Sequence, residues 1–72
     1  MNKSAREMFE DLGFKRYDTG QCIKYERING DDIVDISFVI EIKELYINLY
    51  YVDTAVLKAI NKQLKELRWL DE

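Results

Sequence analysis

Hydrophobic and polar positions recur along this chain with two different periods. Near the N-terminus, Ala5, Met8, Phe9 and Leu12 recur at spacings that place them on one stripe of a helix over residues 4–12. Arg6, Glu7, Glu10 and Asp11 fall on its other sides. Asn2 or Ser4 supplies a capping oxygen, Gly13 a left-handed residue to end the helix, and Phe14 a side chain to fold back on it. In the C-terminal third, Val56, Ile60, Leu64 and Leu67 mark a second helix, with Leu57 beside the stripe. Asp53 or Thr54 caps it and it runs to about Leu70, where Trp69 and Leu70 cover one end of the core. Lys58, Lys62, Lys65 and Arg68 lie away from the apolar stripe, and the last two complement the helix dipole.

Between the helices the period is two. The segments QCIKYERI and IVDISFVI flank NGDD, and Asn-Gly between alternating runs signals a hairpin. With Asn29-Gly30 as its turn, Tyr25 faces Val34 and Ile23 faces Ile36 on one side. On the other, Lys24 faces Asp35 and Cys22 faces Ser37. A four-residue loop shifts the partners but keeps every side chain on its face. A second turn near Ile42-Lys43 leads into ELYINLYYVD. There Leu45, Ile47, Leu49 and Tyr51 are expected on the core face, opposite Ile40, Phe38, Ile36 and Val34. The other face pairs Val39 with Tyr46, Ser37 with Asn48, Asp35 with Tyr50, and Ile33 with Val52. Residues 14–17 alternate poorly and form a weaker candidate strand before a turn at Asp18-Thr19-Gly20.

The predicted fold is therefore α+β, in one small domain spanning residues 1–72. A three- or four-stranded antiparallel meander carries one helix at each terminus, both packed on one sheet face. The order is α-β-β-β-α or α-β-β-β-β-α, and the mixed face points to water.

Composition narrows what such a domain can do. A chain of 72 residues buries only roughly 60% of its unfolded surface, so its stability margin is thin. Cys22 is the only cysteine and there is no histidine, which excludes an intrachain disulfide and a structural zinc site. A homodimer through the last strand would supply the staple that small folds need. The opening MNKSAREMFEDL lacks the apolar core of a signal peptide, and no apolar run is long enough for a membrane span. A free thiol without an export signal fits the cytoplasm. The net charge of −3 argues against a general nucleic-acid binder.

Enzyme chemistry finds little to work with. Histidine, the commonest general base, is absent, so Cys22 has no base to activate it and reads as a small half-buried side chain. Asp31, Asp32 and Asp35 lie near a turn but lack the alternating pattern of a calcium loop, and no glycine-rich phosphate loop exists. No cofactor is expected. Two surfaces compete as binding sites. The outer sheet face carries Tyr46, Tyr50 and Asn48 with Ile33, Val39 and Val52, and tyrosines give large contact area at low entropic cost. It suits a protein partner. The alternative is nucleic acid on Lys58, Lys62, Lys65 and Arg68, because α-β-β-β-α is also the order of double-stranded RNA-binding domains.

AREMFEDLGF and AINKQLKELRWL resemble the helices of small proteins encoded by phages and prophages of Gram-positive bacteria. The likeness covers both ends, about a third of the chain, and rests on core residues of helices. It implies a shared fold, a phage-derived origin, a location in the host cytoplasm and a host or phage protein as the partner of the sheet face. It carries over no functional residues.

Overall fold

In the computed structural model, which describes residues 3–70, the apolar stripes of two helices close over one face of a four-stranded sheet. The elements are α1 (Ala5–Asp11), β1 (Lys15–Asp18), β2 (Cys22–Asn29), β3 (Asp32–Val39), β4 (Glu44–Asn48) and α2 (Thr54–Glu66). The strands form an antiparallel meander in the order β1-β2-β3-β4. The α+β reading thus takes its four-stranded form, and the weak segment after Phe14 is a true strand. The shortest extent of 19 Å has room for one sheet and one helix layer.

Helix α1 has only seven residues, too few to persist alone. Its ends are held instead. Ser4 and Glu7 form a reciprocal capping box, and the Ala5 N–H donates to Glu66 of α2 at 2.9 Å. The alternative cap Asn2 lies outside the described residues. At the other end, Gly13 (φ 89°) and Phe14 donate backwards to Glu10 and Phe9, both at 3.0 Å. Phe14 then packs edge-on against Phe9, with ring centres 5.5 Å apart. Arg27 of β2 donates to the Leu12 carbonyl at 3.1 Å and lies 4.4 Å over the Phe14 ring.

The same C-terminal device ends α2, earlier than the expected Leu70. Arg68 and Trp69 donate back to Lys65 and Leu64, both at 3.0 Å, but here Arg68 is the left-handed residue (φ 61°). The turn brings Trp69 to Phe38, with ring centres 6.2 Å apart, while Leu70 stays exposed. Asp53 caps the start of α2, accepting the Val56 N–H at 2.9 Å. The buried stripe runs through Val56, Ala59, Ile60 and Gln63, rotated slightly from the expected one, so that Leu64 and Leu67 are half-buried and Leu57 is exposed.

Both hairpins shift by two residues from the expected partners while every strand residue keeps its face. Asn29 pairs with Asp32, so Gly30-Asp31 makes the turn, Tyr25 faces Ile36, and Ile23 faces Phe38. Only Gly30 takes a positive φ there (68°), the pattern of a type II′ turn, which spares Asn29 the left-handed conformation. Residues 40–43 connect β3 to β4, with Lys43 left-handed (φ 54°), so Phe38 faces Leu45 and Ile36 faces Ile47. The strand β4 ends at Asn48, and the expected Val34–Tyr51 and Ile33–Val52 pairs do not form. Leu49 joins the core, and the chain leaves the sheet toward α2 with Tyr51 72% exposed rather than buried.

Tyr25 stands at the centre of the core. It is fully buried, stacked on Phe9 at 3.9 Å and edge-on to Phe38 at 6.2 Å. Its hydroxyl donates to the buried Gln63 at 2.6 Å and accepts from Arg16 of β1 at 2.9 Å. Arg16 also holds Asp18 at 3.0 Å, and Asp18 accepts the Gly20 N–H at 2.8 Å. The Gly20 amide and then Arg16 hold the Asp18 carboxyl below the usual aspartate range. Burial pushes the Tyr25 phenol up, and Arg16 offsets part of that.

Two stability predictions follow from this geometry. Gly13→Ala is expected to destabilise by about 1–2 kcal/mol and Arg68→Gly to stabilise by about 1 kcal/mol, because both positions are left-handed. Urea unfolding of both variants reads this directly, and equal midpoints would refute it. Tyr25 binds its proton more tightly folded than unfolded, so its contribution is complete below about pH 10 and declines as pH rises beyond that. Tyr25→Phe should cost about 1–3 kcal/mol at neutral pH, since Gln63 and Arg16 lose their partner, yet flatten the alkaline fall in stability.

Candidate functional site

Strand alternation decides which side chains reach the face that the helices leave open. On β2 these are Cys22, Lys24, Glu26 and Ile28, and on β3 Ile33, Asp35, Ser37 and Val39. The edge strands add Lys15 and Tyr17 from β1, and Glu44, Tyr46 and Asn48 from β4. Cross-strand pairing arranges them in rows. One runs Tyr17, Lys24, Ser37, Tyr46, and its neighbour runs Lys15, Glu26, Asp35, Asn48. Cys22, Val39 and Glu44 line up beyond Tyr46, and Ile28 meets Ile33 at the hairpin tip.

Four of the six expected contact residues therefore share this face: Tyr46, Asn48, Val39 and Ile33. Tyr50 and Val52 do not. The shift by two places Asn48, not Tyr50, against Asp35, and both residues lie in the segment between β4 and α2. Tyr50 is exposed and its hydroxyl donates to Asp32 at the start of β3. The Tyr46 hydroxyl donates to Glu44. These carboxylates raise both phenols above the usual tyrosine range.

Two large residues of the face, Tyr17 and Ile28, are absent from the sequence-based set. Ile28 was legible as the next alternate position after Cys22, Lys24 and Glu26. Tyr17 depended on accepting β1 as a strand. Its ring is flanked by Lys15 and Lys24, whose ammonium groups lie 5.6 and 5.7 Å from the ring centre. Across three strand spacings, Tyr17 and Tyr46 stand roughly 14 Å apart at the two margins of the sheet. Tyr17, Thr19, Cys22, Lys24 and Glu26 border a shallow, mainly apolar hollow.

The middle of the face is electrostatically awkward. Glu26 sits directly opposite Asp35, where the expected pair was Lys24 with Asp35. Lys24 is 3.6 Å from Glu26 on its own strand instead. Like charges opposed across a sheet destabilise it. Asp31, Asp32 and Asp35 are dispersed, with Asp31 in the turn and the other two on opposite faces of β3.

The alternative surface survives only in part. Lys58, Lys62 and Lys65 follow one side of α2, with Lys62 half-buried. Arg68 lies past the Leu67 cap in a left-handed turn, off that helical stripe. The fourth strand also departs from the three-stranded order that suggested RNA binding.

No known protein family, curated protein or solved structure matches this chain. Asp35→Asn is expected to stabilise the fold by about 0.5 kcal/mol through relief of the carboxylate pair, most clearly at low salt. Denaturant titrations at two ionic strengths test it, and a loss of stability would show that the pair is not repulsive.

Proposed function

We propose that the protein is a non-enzymatic interaction module, phage-derived and acting in the cytoplasm of a bacterial host, that binds a partner protein across the helix-free sheet face. The observation that carries this reading is the row Tyr17, Lys24, Ser37, Tyr46, which sets an aromatic ring at each margin of an uncovered surface. Tyrosine rings with polar tips suit protein contacts, since they exclude water over a wide area and still hydrogen-bond at the rim. The Ile28/Ile33 pair adds apolar area at the tip, and Glu26 with Asp35 favours a partner that brings a lysine or arginine to the centre. Phage origin and location rest on the resemblance of the two helices.

The test compares tagged wild-type protein with a Tyr17→Ala/Tyr46→Ala variant in capture from bacterial lysate, with and without nuclease treatment. Both side chains are exposed, so circular dichroism and thermal unfolding should differ little between the two. A protein held at constant stoichiometry by wild type is expected to lose at least tenfold in affinity for the variant. Unchanged affinity refutes the sheet-face assignment. Recovery that depends on nucleic acid and falls steeply with salt instead supports contact through Lys58, Lys62 and Lys65.

A further inference from the structure

We infer that two copies of this chain associate through antiparallel pairing of β4 with β4, in a register centred on Tyr46. This goes beyond the partner-binding reading and does not depend on it.

The two margins of the sheet differ in chemistry. β1 reads Lys-Arg-Tyr-Asp, a short charged edge of the kind that discourages pairing. β4 reads Glu-Leu-Tyr-Ile-Asn, with one charge, no proline and no lysine. Among the described residues no strand lies beside its outer side, so a row of backbone N–H and C=O groups is left for another chain. Both faces of this edge also expose large side chains. Tyr46 is 55% exposed on the outer face, and Ile47 is 46% exposed on the core face, where its neighbour Ile36 is fully buried. The core therefore runs out to this edge without being closed.

Symmetry then selects the occupant. In a two-fold antiparallel pair centred on Tyr46, Tyr46 meets its own copy, Leu45 meets Ile47 of the second copy, and Glu44 meets Asn48 of the second copy. Apolar side chains complete the core face on both sides. Each carboxylate finds an amide donor and no carboxylate faces another. This is the one register that pairs all five residues of β4. Centring on Leu45 or Ile47 pushes Asn48 or Glu44 past the end of the partner strand, and half-residue shifts oppose core-face to outer-face side chains. The product is a continuous sheet of eight strands with all four helices on one side. It also supplies what a single chain of this size lacks, additional buried apolar surface.

Sedimentation equilibrium from micromolar to millimolar concentration is the first measurement. A concentration-dependent dimer is expected, with Ile47→Lys shifting dissociation at least tenfold toward monomer at unchanged circular dichroism. Register is read separately in a Cys22→Ser background. Tyr46→Cys should cross-link to its own copy under mild oxidation, since directly opposed Cβ atoms are roughly 5 Å apart. Asn48→Cys alone should not, but should cross-link when mixed with Glu44→Cys. A chain that stays monomeric at millimolar concentration overturns the inference. So does a dimer that ignores Ile47→Lys and cross-links no faster at position 46 than at the exposed position 28. Neither result bears on capture of a different protein by the outer face.

Discussion

The connections between elements in this fold converge on the ring and hydroxyl of Tyr25. The ring lies between Phe9 of α1 and Phe38 of β3, and the hydroxyl joins Arg16 of β1 to Gln63 of α2. One side chain thus contacts four of the other five elements. A phenylalanine would fill the same space but leave a buried amide oxygen and a half-buried guanidinium without their partner. A leucine would also lose the aromatic stack. Within such a small core, this one polar connection fixes how α2 lies over the sheet, because Gln63 has its hydrogen bond only when the helix is in register with Tyr25.

The first helix shows the same economy from the opposite side. Its seven residues have weak intrinsic stability, so its termini are secured by groups from distant parts of the chain. Glu66 comes from the end of α2 and places negative charge at the positive end of α1. Arg27 comes from β2, donates to the Leu12 carbonyl, and rests its charged plane on Phe14. The stability of α1 is therefore coupled to α2 and β2 being in place, in keeping with the cooperativity of small single domains.

Element types and faces were legible from periodicity because burial imposes them directly. A two-residue shift preserves which face a side chain occupies, so Ile23, Tyr25, Ile36 and Phe38 were placed correctly even though their cross-strand partners were not. Partners depend on which residue at a turn accepts a positive φ, a choice among nearly equal local conformations at Asn29-Gly30-Asp31 and at residues 40–43. The arginines were illegible for another reason. Arg16 and Arg27 occupy core-face positions, where periodicity predicts apolar residues, and their long stems and planar heads become intelligible only beside Tyr25, Leu12 and Phe14. The candidate surface suffered twice, since Tyr17 lies on the least regular strand and Tyr50 lies just beyond the end of β4.

Where the chain departs from local consistency is itself informative. The interior is satisfied: among the described residues no buried side-chain polar atom lacks a partner. Most departures gather on the open sheet face and on β4, while Ile42 of the β3–β4 connection and Leu57 of α2 are exposed elsewhere. Carboxylates oppose one another at Glu26 and Asp35, isoleucines are exposed at 28, 33 and 47, and an edge strand lacks the lysine, proline or bulge that usually blunts it. Selection for stability alone would favour opposite charges at 26 and 35 and threonines at 28 and 33, at no loss to the core. The carboxylate pair, the Ile28/Ile33 pair and the unblunted β4 edge lie on or beside the open face, around a core without such conflicts, and contact with another molecule there would satisfy them.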